Sequence, residues 1–160
     1  MSYKRKMGID YGDKRIGIAF TDFLCTIASP YEVYKTVSEE EDLKYLANLA
    51  KKQEADEIVL GLPLNMDGTE GDRAEVTRAF GEKLGNLSGL KITYIDERLT
   101  SLEAEDILIS AGVRREKRKE LIDKISAQLI LESYLNQNKR SRLWARQRKQ
   151  LKKQKRKKKS

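Results

Sequence analysis

Short apolar runs separated by turn residues open the chain, and longer helical periodicities close it. Met7-Gly8-Ile9 and Ile16-Gly17-Ile18-Ala19-Phe20 flank the turn Tyr11-Gly12-Asp13-Lys14, which predicts a β-hairpin. Residues 26–36 (TIASPYEVYKT) are rich in β-branched and aromatic side chains and predict a third strand, with Pro30 at an edge or a bulge. Ser38-x-x-Glu41 is a capping box, and Leu43, Leu46, Ala47, Leu49 and Ala50 form the apolar stripe of a helix running to about residue 52. The nearly continuous apolar run 57–62 (EIVLGL) suits a strand buried on both faces of a parallel sheet. A loop over 63–69 leads to a helix over 71–85 with Val76, Ala79, Phe80 and Leu84 inward. Residues 92–95 (ITYI) predict a fifth strand. A second capping box, Thr100-x-x-Glu103, opens a helix that Gly112 closes, and a last helix spans about 115–138. The order β-β-β-α-β-α-β-α-α predicts an α/β domain: a mixed five-stranded sheet with helices on both faces.

Length allows one domain plus a tail, and is too short for the two lobes of an actin-like kinase. No apolar run reaches membrane-spanning length, no secretory h-region follows Met1, and a single cysteine, Cys25, forms no internal disulfide. A cytoplasmic location is expected. The chain contains no histidine, which excludes His-based triads, imidazole general bases and His-ligated zinc. Any catalysis must run on carboxylates, Lys or Arg, hydroxyls, or a metal held by oxygen. The net charge of +8 divides unevenly: residues 139–160 hold 13 bases and no acid, so the preceding 138 hold 20 bases against 25 acids. The boundaries expected are a domain over 1–138 and a basic tail over 139–160, either flexible or a helical extension.

Candidate chemistry sits where strands end. Asp10 in D-x-G ends the first strand, Asp96 and Glu97 end the fifth, and the fifth is expected beside the first. At 100° per residue, Ala127, Ile130 and Tyr134 lie within about 40° of Asp123, which places Asp123 on the inward face of the last helix. An inward carboxylate implies a metal or an ion pair with a neighbouring base. Three converging carboxylates repel by up to about 4 kcal/mol per pair at about 4 Å, a penalty that one or two Mg²⁺ or Mn²⁺ ions remove. For D-x-G alone, a plain Asx turn and Mg-nucleotide binding remain alternatives. Asn65 in the loop after the fourth strand, Arg98, and Lys14 and Arg15 beside Asp10 are candidate phosphate or base contacts. Each also has a plain reading: a tight β-to-α turn, a pair with Asp96, and ordinary turn charges.

The segments GIDYGDKRIGIAFTD, VLGLPLNMDGTEG, DERLTSLEAE and DKISAQLILESYL resemble, in order and spacing, the YqgF/RuvX family. This is the RNase H-like group described as Holliday junction resolvases and as pre-16S rRNA nucleases. The resemblance covers residues 6 to about 137. It implies an RNase H-like fold, a Mg²⁺- or Mn²⁺-dependent endonuclease, and Asp10, Glu97 and Asp123 as catalytic, metal-holding residues, with Asp96 as second choice to Glu97. The implied partner is structured RNA, a precursor 16S rRNA cut near its 5′ end, with branched DNA in a resolvase as the alternative. No membrane partner is expected, and the chain acts as a monomer or homodimer. A binding module without catalysis is the reading of another class.

The tail departs from the family pattern. Its like-charge block is expected to bind polyanions, with residues 142–153 continuing as a helix and 155–159 solvated when free. Trp144 is placed to stack on an unpaired base or back on the domain, with Arg146 and Arg148 as flanking phosphate contacts.

Overall fold

The computed structural model describes residues 4–159, and for residues 99–104 the backbone alone. Three strands, β1 (Arg5–Tyr11), β2 (Arg15–Thr21) and β3 (Ala28–Lys35), form an antiparallel meander. The turn between β1 and β2 closes with Gly12 N–H donating to the Arg15 carbonyl at 3.0 Å. A Cβ on Gly12 would lie 2.7 Å from that same oxygen, so only glycine fits. β4 (Ala55–Leu62) and β5 (Lys91–Asp96) run parallel to β1, and the sheet order is β3-β2-β1-β4-β5. This is the mixed five-stranded sheet with helices on both faces that the element order predicts.

β5 therefore lies beside β4, not beside β1 as the sequence suggested. Local pattern marks β5 as a strand, but lateral order is set by which crossover places its helix on the sheet. Pro30 sits on the edge strand opposite Ala19, at a register shift between Ile18 and Ala19, so the edge and the bulge occur together.

Helices α1 (Glu39–Lys52) and α2 (Asp72–Ser88) cover one face of the sheet, over Met7, Ile9, Ile16, Ile18, Ile58 and Leu60. Ser38 caps α1, accepting from Glu41 N–H at 3.2 Å. In α2 the inward residues are Ala74, Thr77, Phe80, Gly81 and Leu84, whereas Val76 and Ala79 face water. Gly81 lets the helix settle against Leu60 and Tyr94, which turns its stripe away from the face that apolar side chains alone suggested.

On the other face lies α4 (Arg115–Lys158), with α3 (Arg98–Ser110) packed against it. α3 begins at Arg98, ahead of the expected start at Thr100; the side chains of that capping box lie outside the described residues. α4 continues without a break through the expected end at 138, so the tail is helix to Lys158. Its buried residues end at Leu135, and residues 139–159 are all exposed.

Candidate active site

α4 seats on the sheet where the strands carry glycine. A Cβ on Gly8 would fall 2.8 Å from the Ala127 carbonyl oxygen, and one on Gly17 3.2 Å from that of Asp123. One on Gly61 would lie 2.5 Å from Ile130 Cδ1. At Gly8 there is no room for a Cβ, and at Gly17 and Gly61 the helix backbone or the Ile130 side chain would have to shift, so bare positions in β1, β2 and β4 let the helix sit close. Ala19, Val59 and Ile95 complete the floor, against Ala127, Ile130 and Leu131 above.

This close seating collects the carboxylates. Asp10 follows Gly8 on the same face of β1, opposite Gly17. Its Cβ lies 3.5 Å from the point a Gly17 Cβ would occupy. Glu97 follows Thr93 and Ile95 in the two-residue alternation and points to the α4 side, although it already serves as the N-terminal flank of α3. β4 stands between β1 and Glu97, and Gly61 removes the obstacle: its missing Cβ leaves the space 3.3 Å from the Glu97 carboxyl carbon. Across that gap Glu97 hydrogen-bonds Asp10.

Burial pushes the Glu97 carboxyl up to about 9. The hydrogen bond to Asp10 and the Asp10 charge act in the same direction, and Arg73 opposes them. At neutral pH the Glu97 carboxyl therefore keeps its proton, beside Asp10.

Asp123 reaches the same end of the sheet, but its carboxylate does not join the pair. It accepts from Arg15 at 3.1 Å and its side chain is 35% exposed. Among the described residues no three carboxylates stand close enough to hold one metal ion, contrary to the expected three-way convergence. The reason is electrostatic. Three like charges need compensation, which Arg15 gives Asp123 and the proton kept on Glu97 gives its side of the pair. The donor set nevertheless fits a hard divalent cation: all oxygen, with two carboxyls already forced together and a third on the adjoining helix.

Asp96 points away from this pair. Arg98 donates to it at 2.7 Å and to the Met66 carbonyl at 3.1 Å, so Arg98 ties the loop after β4 to the end of β5. Burial of part of its side chain aside, Asp96 is held below the usual carboxylate range by the Arg98 bond. Asn65 works inside that loop, its side-chain amide donating to Thr69 Oγ1 at 3.0 Å and its carbonyl accepting from Gly68 N–H at 2.8 Å. Lys14 is exposed on the hairpin turn. Trp144 stands on exposed helix with the Arg148 guanidinium 4.5 Å from its ring centre, and Arg146 is exposed beside them.

Sequence reading missed Arg73. It reaches from the first turn of α2 to Asp13 at 2.7 Å and the Tyr11 carbonyl at 3.4 Å, and its charge is felt at Glu97. The available signal was weak: a base in a first helical turn, where acids are favoured.

Known proteins align with this chain almost to the end of its packed domain. A protein of Endomicrobium trichonymphae, named "Putative pre-16S rRNA nuclease", is 53% identical over 133 residues, 82% of this chain and 95% of its own length. One of the same name from Halothermothrix orenii is 48% identical over 136 residues, 84% of this chain and 97% of its own length. Among solved structures, the fowlpox virus Holliday junction resolvase superposes with a TM-score of 0.49 at 15% identity, over 83% of this chain and 99% of that one. The model of the RuvX family, described as "Holliday junction resolvase", matches residues 4–137, and the chain belongs to that family.

Proposed function

We propose that the protein is a divalent-metal-dependent endonuclease of the cytoplasm that cuts structured RNA, and that its substrate is a precursor 16S rRNA near the 5′ end. The observation that carries this reading is the Asp10–Glu97 carboxyl pair joined across Gly61, with the helix bearing Asp123 seated over the same floor. The names of the relatives support the choice of RNA.

Asp10, Glu97 and Asp123 are the catalytic residues and would hold one or two Mg²⁺ or Mn²⁺ ions. When bound, such an ion supplies an activated water at neutral pH and steadies charge on the leaving oxygen. The chain's own contribution is the arrangement. Gly61 and Gly17 keep the floor flat, so that the carboxyls meet. Glu97 holds a proton at neutral pH and would give it up in holding a cation. Arg15 is charged, exposed and already at the rim, where exchange of Asp123 for a substrate phosphate costs little. Arg73 and Lys14 extend that rim, while Arg98 and Asn65 keep the 63–71 loop in shape beside it. On the exposed part of α4, Arg146 and Arg148 contact phosphates and Trp144 stacks on an unpaired base.

The family description favours one second reading, a resolvase of branched DNA. Symmetric cutting of a junction requires a two-fold dimer with paired sites, whereas the RNA reading works with a monomer. The test offers a 5′-extended 16S precursor and an immobile four-way DNA junction to wild-type and Asp10→Asn protein with Mn²⁺, alongside sedimentation. Cutting of the RNA by wild type alone is expected. Symmetric cutting of the junction by a dimer would replace this reading with the second, and cutting of neither would leave a binding module.

A further inference from the structure

α4 crosses the sheet from one end to the other. Asp123 stands by Asp10 at the end of β1, and eleven residues on Tyr134 donates to Glu57 at 3.0 Å, beside Lys6 at the start of β1. The helix thus leaves the sheet at the edge opposite the carboxylates. At 1.5 Å per residue, Lys139 lies about 24 Å and Lys158 about 52 Å along the axis from Asp123.

The overhang has two sides. At 100° per residue, the residues that face the sheet, from Asp123 and Ala127 through Leu131 to Leu135, lie within about 80° of one direction. Arg142, Arg146, Arg148, Lys149, Lys152, Lys153 and Arg156 fall in that same arc. Leu143, Gln147, Gln150, Leu151 and Gln154 lie within about 60° of the opposite direction, where the bases are Arg140 and Lys158 at the two ends. The stripe that packs on the sheet therefore turns basic once the sheet runs out, and it looks back under the sheet's lower edge. A cavity of about 350 Å³ opens at that corner, lined by Lys4, Lys6, Lys139 and Arg142 against one acid, Asp56, with Phe23 and Tyr134 as apolar walls.

We propose that this overhanging face and the cavity at its foot form a second nucleic-acid site, which grips the phosphate backbone of double-helical RNA some 24 Å or more from the carboxylates. The proposal rests on the RNA reading above for its ligand. Charge complementarity selects the occupant. A face about 21 Å long carries seven bases and no acid, and like charges this dense disfavour a free helix until a polyanion neutralises them. The face is one-sided, and its aromatic, Trp144, lies at its border. Both features suit the flank of a duplex, with Trp144 at the border to stack on an unpaired base where the duplex ends. The family match ends at residue 137, so this grip belongs to this chain's own extension.

The test uses full-length protein carrying Asp10→Asn, without divalent cation, and reads binding to a 20-base-pair RNA hairpin by fluorescence anisotropy across a salt series. One variant neutralises the face (Arg142→Gln, Arg146→Gln, Lys149→Gln, Lys153→Gln). A control removes the same charge further out (Lys155→Gln, Lys157→Gln, Lys158→Gln, Lys159→Gln). Circular dichroism checks that both remain helical. The face variant should bind about thirtyfold more weakly or worse at 0.1 M salt, and its log–log salt slope should shrink by about 3 to 4. The control should lose about threefold at most. Adding Lys4→Gln to the control should cost a further twofold or more. Equal losses in both variants, no loss in either, or face-dependent binding of anionic vesicles in preference to RNA would overturn the site. Because cutting plays no part, those outcomes leave the nuclease reading standing. Face-dependent binding by a wild-type protein that cuts no RNA would instead overturn the nuclease reading alone.

Discussion

The two faces of the sheet are built on opposite rules. Under α1 and α2 the strands present large side chains, Met7, Ile9, Ile16, Ile18, Ile58 and Leu60, all at most 1% exposed. Under α4 they present Gly8, Gly17, Ala19, Val59 and Gly61, with acids at the end. The first face removes apolar area from water and stabilises the domain. The second gives up that area so that a helix backbone can lie on the sheet and carboxyls can meet across a strand. Stability and chemistry are thus segregated by face, and each can be perturbed while the other is watched.

The largest effect belongs to the α4 face. Asp10→Asn and Glu97→Gln should each lower metal-dependent cleavage by at least about a thousandfold, since charge stabilisation by a metal is worth several kcal/mol at about 1.4 kcal/mol per tenfold. Their urea midpoints at pH 7 should not fall, because each change puts a neutral amide of the same shape into the pair, where it can keep the hydrogen bond between the two side chains. Loss of stability in step with activity would mean that the pair is structural.

On the opposite face, Ile58→Ala or Leu46→Ala should cost about 2–5 kcal/mol in urea unfolding and leave cleavage per folded molecule within about twofold. Gly61→Ala crosses the comparison. Its Cβ meets Ile130 and crowds Glu97, so it should cost about 1–3 kcal/mol and also lower cleavage. A Gly61→Ala protein of full activity would show that the gap across β4 has no part in joining the carboxyls.

Acidity gives a gentler probe. A carboxyl raised on folding contributes stability below its unfolded pKa and loses it as pH rises through the folded one. From burial first and Asp10 second, Glu97 sits near 9. Without divalent cation, stability should therefore decline between about pH 4.5 and 9, and Glu97→Gln should flatten that decline in urea melts at pH 5, 7 and 9. Smallest of all, Arg15→Gln should change stability by no more than about 1 kcal/mol, since its pair with Asp123 stands half in water.

How much of this was legible beforehand follows from the kind of information each feature carries. Strands and helices announced themselves through periodicity, and Asp10 through its position at a strand end; that position marked Asp96 and Glu97 alike, and the choice between them came from the family resemblance. The order of β4 and β5 did not, because lateral neighbours depend on crossovers that no local window contains. Gly61 is legible as a gap in the apolar run 57–62; that Glu97 needs the space is not. Val76 and Ala79 misled because apolar identity points inward by default, while Gly81 and Thr77 set the real contact. Arg73 has no motif at all: its relevance comes from where α2 begins relative to Tyr11. The Arg15–Asp123 pair joins residues 108 apart, and it was legible only as one of two options for an inward carboxylate.

The central claim is that the carboxyl pair on the glycine-lined face is a divalent-metal centre. The most direct measurement is Mn²⁺ binding by titration calorimetry at pH 7, run in two buffers of different ionisation heat, on wild type, Asp10→Asn and Glu97→Gln. Saturable binding by wild type alone, with release of about one proton per ion bound, is the predicted result. Equal binding by all three proteins, or binding by wild type without proton release, would contradict it.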